Sequence, residues 1–263
     1  MQRGRCWRVN SPLEDSVTAG EYFALANRLP TGGLRELTKD QPFIVLAPHP
    51  DDESLGTGGL IALARSRGQS VSVVLLTDGS KSHPNSKKYP RDRLISLRRS
   101  ELNEAAEILG LPSGSLLELG LPDAAAPTSG PEFEKALDAV AELIVSSGAR
   151  SVFVTWRYDP HCDHQAAAHL GMELRARHPS LELWFYPIWG WHLPPSDSVP
   201  APPPEGFRLA IDEVLSLKRA AIAAHVSQMT DLIDDDPDGF RFTPEALAPF
   251  LGSCEYFIRA PFR

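Results

Sequence analysis

Five short apolar runs punctuate the chain: FIVLA (43–47), VSVVLLT (71–77), SLLELG (115–120), SVFVTW (151–156) and LELWFYP (181–187). Each is nearly continuous in apolar residues rather than alternating, the pattern of strands covered on both faces. Between them the apolar spacing changes to a helical period over residues 54–67, 92–109, 132–147 and 163–177, and again over 213–231. Strand followed by helix, repeated, predicts an α/β fold on a mostly parallel sheet with helices on both faces, because parallel neighbours need a crossover between them. No internal repeat or composition shift marks a second unit. A single domain over 41–263 is therefore expected, preceded by an N-terminal extension at 1–40 with a helix across 20–28.

Composition narrows the function classes. The 263 residues suffice for one large core, and 42% hydrophobic with 23% charged residues is a globular balance. Lys and Arg total 26 against 34 Asp and Glu, giving a net charge of −8. This argues against a general nucleic-acid or anionic-membrane binder. No apolar run reaches the roughly 18 residues of a membrane span. The start, MQRGRCWRVNSPLEDS, lacks the apolar stretch of a secretory signal, so a cytoplasmic protein is expected. Cys6, Cys162 and Cys254 are too few and too scattered for a disulfide framework. The 24 prolines point to long ordered loops. Two such loops follow strands at their carboxyl ends, where open α/β sheets bind ligands. One, 79–93, sets Lys81, Lys87, Lys88, Arg91 and Arg93 against Asp92 alone; the other, 189–206, is Pro-rich and carries Trp189, Trp191 and His192.

The chemistry concentrates at two strand ends. The first strand runs into Pro48-His49-Pro50-Asp51-Asp52-Glu53 and then directly into a helix of small residues. Adjacent carboxylates repel, so such a cluster needs a cation or a helix N-terminus to compensate it. The fourth strand runs into Asp159-Pro160-His161-Cys162-Asp163-His164, again just before a helix. Both ends emerge on one edge of a parallel sheet and can converge. Two histidines and a carboxylate with open positions form the ligand set of catalytic zinc or of non-haem iron. An acidic helix cap with a packed His49 would explain the first cluster alone, but not a matching second one.

Together, PHPDDE (48–53), TDG (77–79), RRSELNEAAEILGL (98–111), HCDH (161–164) and KRAAIAAHVSQ (218–228) resemble the PIG-L/LmbE-like deacetylases over about four-fifths of the chain. The resemblance implies a Rossmann-like fold and zinc-dependent removal of acetyl groups from N-acetylglucosamine-type conjugates. By position it implies that His49, Asp52 and His164 bind Zn2+, that Asp51 is the general base and that His161 stabilises the oxyanion. The chemistry agrees, since an open-site zinc acidifies its water and a carboxylate outside the ligand set must accept the proton. Asp163 is expected to hydrogen-bond His161 and keep it cationic, and Glu53 to act as helix-capping charge. Availability in cells can place Fe2+ instead of Zn2+ in such a site.

Other residues carry weaker signals. Arg98 sits on the apolar face of its helix, either in an internal ion pair with Glu101 or, as the resemblance suggests, reaching the substrate. Asp123 is either a sugar contact or a loop cap. His225 reads as a core histidine. Trp156, Trp189 and Trp191 are candidates for stacking on a sugar ring, with Trp191 expected as the substrate contact, although buried tryptophans usually only pack. Residues 234–245 satisfy the calcium-loop spacing, but Arg241 and Thr243-Pro244-Glu245 favour a loop and a short helix. Gly56-Thr57-Gly58-Gly59 is displaced from the strand end and preceded by carboxylates that would repel a pyrophosphate. Cys162 is expected to pack as a small residue. The leading expectation is a deacetylase whose partner is a small amino-sugar conjugate, anionic if the 79–93 loop lines the pocket. Two alternatives stay open: an Fe(II) oxygenase using His161, Asp163 and a distant histidine, and a non-catalytic sugar- or nucleotide-binding module.

Overall fold

Four of the five apolar runs are buried almost throughout at the centre of one sheet, whereas the third, expected to be covered on both faces, forms a half-exposed strand at its edge. The computed structural model describes residues 16–261. In chain order its strands are β1 (Val17–Thr18), β2 (Thr31–Gly32), β3 (Phe43–Ala47), β4 (Val71–Thr77), β5 (Leu116–Leu121), β6 (Ser151–Thr155), β7 (Glu182–Tyr186), β8 (Ser198–Val199), β9 (Gly206–Ala210) and β10 (Cys254–Arg259). The helices are α1 (Ala19–Ala26), α2 (Leu34–Thr38), α3 (Asp52–Ser66), α4 (Arg91–Ile108), α5 (Pro131–Ser147), α6 (Cys162–Arg177), α7 (Leu215–Ala224), α8 (Val226–Met229) and α9 (Pro244–Leu247).

Eight of these strands form one sheet in the order β2-β9-β10-β7-β6-β3-β4-β5. The five apolar runs supply its parallel part, β5-β4-β3-β6-β7. Numbered among themselves they run 3-2-1-4-5, the doubly wound order, whose switch point lies between β3 and β6. The sheet is then extended by β10 and β9, which pair antiparallel, a part that the sequence pattern does not reveal. The register of β3 sorts its side chains between two cores. Phe43, Val45 and Ala47 pack with α3, α4 and α7. Ile44 and Leu46 pack with α1, α5 and α6 on the other face. This is the two-faced burial that a continuous apolar strand requires.

Two expectations are modified. The helix expected over 213–231 is divided by His225, because buried Glu101 takes the Ser227 main-chain N–H (2.7 Å) and hydroxyl (2.6 Å). Of the segment 1–40, residues 1–15, with Cys6, lie outside the described residues. Its remainder packs on the domain: α1 begins in a capping box of Thr18 and Glu21 and buries Tyr22, and β2 pairs with β9. No helix among the described residues is long and apolar enough to cross a membrane.

Candidate metal centre

The two clusters meet at the switch point, one after β3 and one after β6. His49 Nδ1 lies 3.2 Å from Asp52 Oδ2, His164 Nε2 lies 3.3 Å from the same oxygen, and the two ring nitrogens are 3.3 Å apart. Three donors on a tetrahedral ion bound at about 2.0–2.1 Å would themselves stand about 3.3–3.4 Å apart. The triangle therefore fits three donors of a divalent cation. His161 stands beside it, its ring centroid 4.6 Å from that of His49 and 5.0 Å from that of His164. The chain places Asp52 in the first turn of α3 and His164 in the first turn of α6.

Carboxylates face the outer nitrogens of both imidazoles, by a hydrogen bond at His49 and at ion-pair distance only at His164. His49 Nε2 meets Asp163 at 3.0 Å and Asp123 at 3.4 Å. His164 Nδ1 lies 3.2 Å from Asp159. Each carboxylate is in turn held by main chain. Asp163 accepts from the N–H groups of Ala124 (2.8 Å) and Ala126 (3.0 Å), a loop in which Ala124 has φ 61°. Asp123 accepts from Lys81 N–H at 2.6 Å, and Asp159 from those of Ile188, Trp189 and Gly190 at 3.2, 2.8 and 3.2 Å. Such outer partners orient metal-binding histidines.

Electrostatics follow from this crowding. Burial pulls His49 and His164 down, but the carboxylates around them prevail. His49 is held well above the ordinary histidine range and His164 rises to about 9. Burial raises Asp52, yet the two imidazoles hold it well below the usual carboxylate range. His161 behaves oppositely: burial and then the neighbouring His49 and His164 push it down to about 4. Its Nδ1 accepts the Asp163 N–H at 3.2 Å, so its proton sits on Nε2. The carboxylate of Asp163 meets His49 rather than the ring of His161, which corrects the expected hydrogen bond between that carboxylate and His161. In the metal-free protein an imidazole held down to about 4 is neutral near pH 7.

Asp51 precedes α3 with φ 152° and ψ −28°, a region costing an L-residue on the order of 1–3 kcal/mol. Its carboxylate takes a hydrogen bond from Arg98 Nη2 at 3.1 Å, and the same nitrogen donates to Pro50 O at 2.8 Å. Arg98 Nη1 donates to Gly79 O at 2.9 Å, an approach a Cβ at Gly79 would block at 2.6 Å. Burial pushes Asp51 up to about 7, with Arg98 opposing and Asp52 reinforcing the rise.

A family model described as PIG-L, GlcNAc-PI de-N-acetylase, matches residues 44–175, the stretch that carries both clusters. The chain belongs to the PIG-L family. Over 257 residues it is 30% identical to the 1D-myo-inositol 2-acetamido-2-deoxy-alpha-D-glucopyranoside deacetylase of Nocardia farcinica, covering 76% of this chain and 81% of that one. The solved N,N'-diacetylchitobiose deacetylase of Pyrococcus horikoshii superposes with a TM-score of 0.64 at 21% identity over 84% of each chain. The 4-carboxy-2-hydroxymuconate hydratase GalB of Pseudomonas putida superposes with the same TM-score, 0.64, at 19% identity over 85% of this chain and 97% of that one. The last two similarities concern the fold alone, and one fold thus carries two chemistries.

Within this PIG-L chain the remaining expected residues fall as follows. Arg98 is buried at 3% exposure and pairs with Asp51, while Glu101 bonds Ser227, so the two do not pair with each other. Among the described residues the ring neighbours of Trp191 are Phe23 (4.5 Å) and Tyr256 (4.8 Å), not the histidines of the cluster. Trp156 is buried against Tyr22, and Trp189 stacks on Phe242. Gly56 and Gly59 lie inside α3, against Tyr186 and Ile211. The acidic stretch expected as a loop holds the basic one: Asp235 accepts from Ser86 and the main chain of Lys87 and Lys88, Asp236 from Asn85, and Asp234 pairs with Lys88. Asp159 is the residue that sequence reasoning leaves without a role. Its signal was an acid at the strand end, two residues before His161.

Proposed function

We propose that the chain is a zinc-dependent N-deacetylase that hydrolyses the acetamide of an N-acetylglucosamine-type conjugate. The observation that carries this reading is the triangle of His49 Nδ1, Asp52 Oδ2 and His164 Nε2, with sides of 3.2–3.3 Å, beside a carboxylate, Asp51, that is not part of it. An ion held by those three residues would polarise the acetamide carbonyl and bring the pKa of a water to about 7. Asp51 accepts the proton of that water as its oxygen joins the carbonyl carbon. When the C–N bond breaks, the same carboxyl returns the proton to the departing amine, leaving acetate. A carboxyl raised to about 7 suits both directions of transfer. His161 is neutral and donates its Nε2–H to the carbonyl oxygen as charge gathers there. Asp163 and Asp123 orient His49, Asp159 orients His164, and Arg98 aims Asp51. The sugar class follows the names of the relatives.

The test is amine and acetate release from a panel of N-acetylated glycosides by zinc-loaded protein, with Asp51→Asn as control. The variant should lose about 10²–10⁴-fold in rate while keeping one metal per chain. Oxygen-dependent turnover with iron and no acetate would establish an oxygenase instead, and an Asp51→Asn protein with function intact would leave a binding module.

A further inference from the structure

We infer that Glu53 and His225 are positioning residues that hold the main chain of Asp51 in the conformation its role as base requires; the inference rests on that reading of Asp51. The side chain of Asp51 makes no capping bond to α3, because it faces Arg98, and its φ of 152° is one that an aspartate leaves unless it is held. One holding contact is the main-chain N–H of Asp51, which donates to Glu53 Oε2 at 3.1 Å. The other carboxylate oxygen of Glu53 accepts from Ser54 Oγ at 2.6 Å and from His225 Nε2 at 3.0 Å. Glu53, Ser54 and His225 are all fully buried.

His225 comes from a segment far along the chain from Glu53. It stands at the break between α7 and α8, where the chain abandons helical geometry and directs an imidazole at the carboxylate of Glu53. If this position served packing alone, an apolar side chain would fill it without burying two ionisable groups. A carboxylate in the first turn of a helix is ordinarily served by solvent and the helix end. Here solvent is excluded, so His225 sets the rotamer of Glu53, and Glu53 sets the peptide before Asp51. The charged groups acting on His225 are Glu53, then Asp51 and Arg98. Serine, histidine and glutamate in contact carry the residue types of a nucleophilic triad. Full burial and a Ser54 hydroxyl that donates to Glu53 leave this one no access to substrate.

The experiment compares zinc-loaded full-length wild type with His225→Leu, His225→Gln and Glu53→Gln on whichever N-acetylated glycoside the wild type cleaves. His225→Leu should lower kcat about 10–100-fold with little change in KM, one zinc per chain still bound. His225→Gln keeps an N–H donor near the place of Nε2 and should recover most of the rate. Glu53→Gln should resemble His225→Leu and serves as the deciding variant if the leucine protein does not fold. In an Asp51→Ala background, His225→Leu should change the residual rate no further, since residues acting through one group are not additive. Undiminished kcat in both His225→Leu and Glu53→Gln would overturn the inference, as would a loss matched by loss of zinc or repeated in full without Asp51. A wild type that releases no amine from any glycoside would instead sink the deacetylase reading and this inference with it.

Discussion

Asp159 shows how much of the site lies outside the residues that touch the metal position. One of its oxygens faces His164 Nδ1, and the other gathers the N–H groups of residues 188–190. Asp159→Asn should therefore weaken zinc binding about 10–100-fold, read by competition with a chelator. An unchanged affinity would show that His164 needs no orienting partner. Arg98 acts on Asp51 with a definite sign. Its charge lowers the pKa of Asp51, so Arg98→Gln should raise that pKa and move the acid limb of the rate profile to higher pH, costing activity near pH 7. A limb that stays in place would remove Arg98 from the proton-transfer machinery. At this scale His49, Asp52 and His164 were legible because they stand at strand ends. The contacts of Asp159 with the main chain of residues 188–190 and of Asp163 with His49, Ala124 and Ala126 were not, since those partners lie 29 to 114 residues away.

α3 carries Asp52 because it can lie close against the sheet. Residues Asp52 to Ala64 are all buried, and a Cβ at Gly56 would come within 2.2 Å of Tyr186 Cδ2. Tyr186 cannot give way easily, being fully buried with its hydroxyl on Leu46 O at 2.8 Å. Gly56→Ala should cost about 1–3 kcal/mol in urea unfolding and weaken zinc binding as α3 shifts. An alanine protein of wild-type stability would mean that the helix has room the packing denies. The elements themselves were largely legible, with β3 and β4 matching the apolar runs FIVLA and VSVVLLT residue for residue. The break at His225 was not, because the 213–231 run keeps a helical period and only the claim of Glu101 on Ser227 interrupts it.

For the whole molecule the cluster links metal to pH. His164 is raised from an unfolded value of about 6.5 to about 9, so its stabilising contribution is full below about 6.5 and is lost as pH rises through about 9. His49, also raised, acts in the same sense. Asp52 and His161 are lowered, and their contributions are already complete at the bottom of that window. Metal-free protein should thus melt at progressively lower temperature from pH 6.5 to 9. Zinc-loaded protein should hold its Tm better, because the ion takes the place of those protons. A flat Tm for the metal-free protein would contradict the cluster's charge balance. By itself the sequence determined the alternation of strand and helix and the two His/Asp strand ends, since periodicity and local residue types are properties of short stretches. Only the tertiary structure decided that the ends meet across β3 and β6, that Asp163 serves His49, that Arg98 serves Asp51 and that the 234–236 carboxylates hold the basic loop. Each of those pairings joins segments far apart in the chain, and a sheet's topology, not local spacing, brings them within a few ångströms.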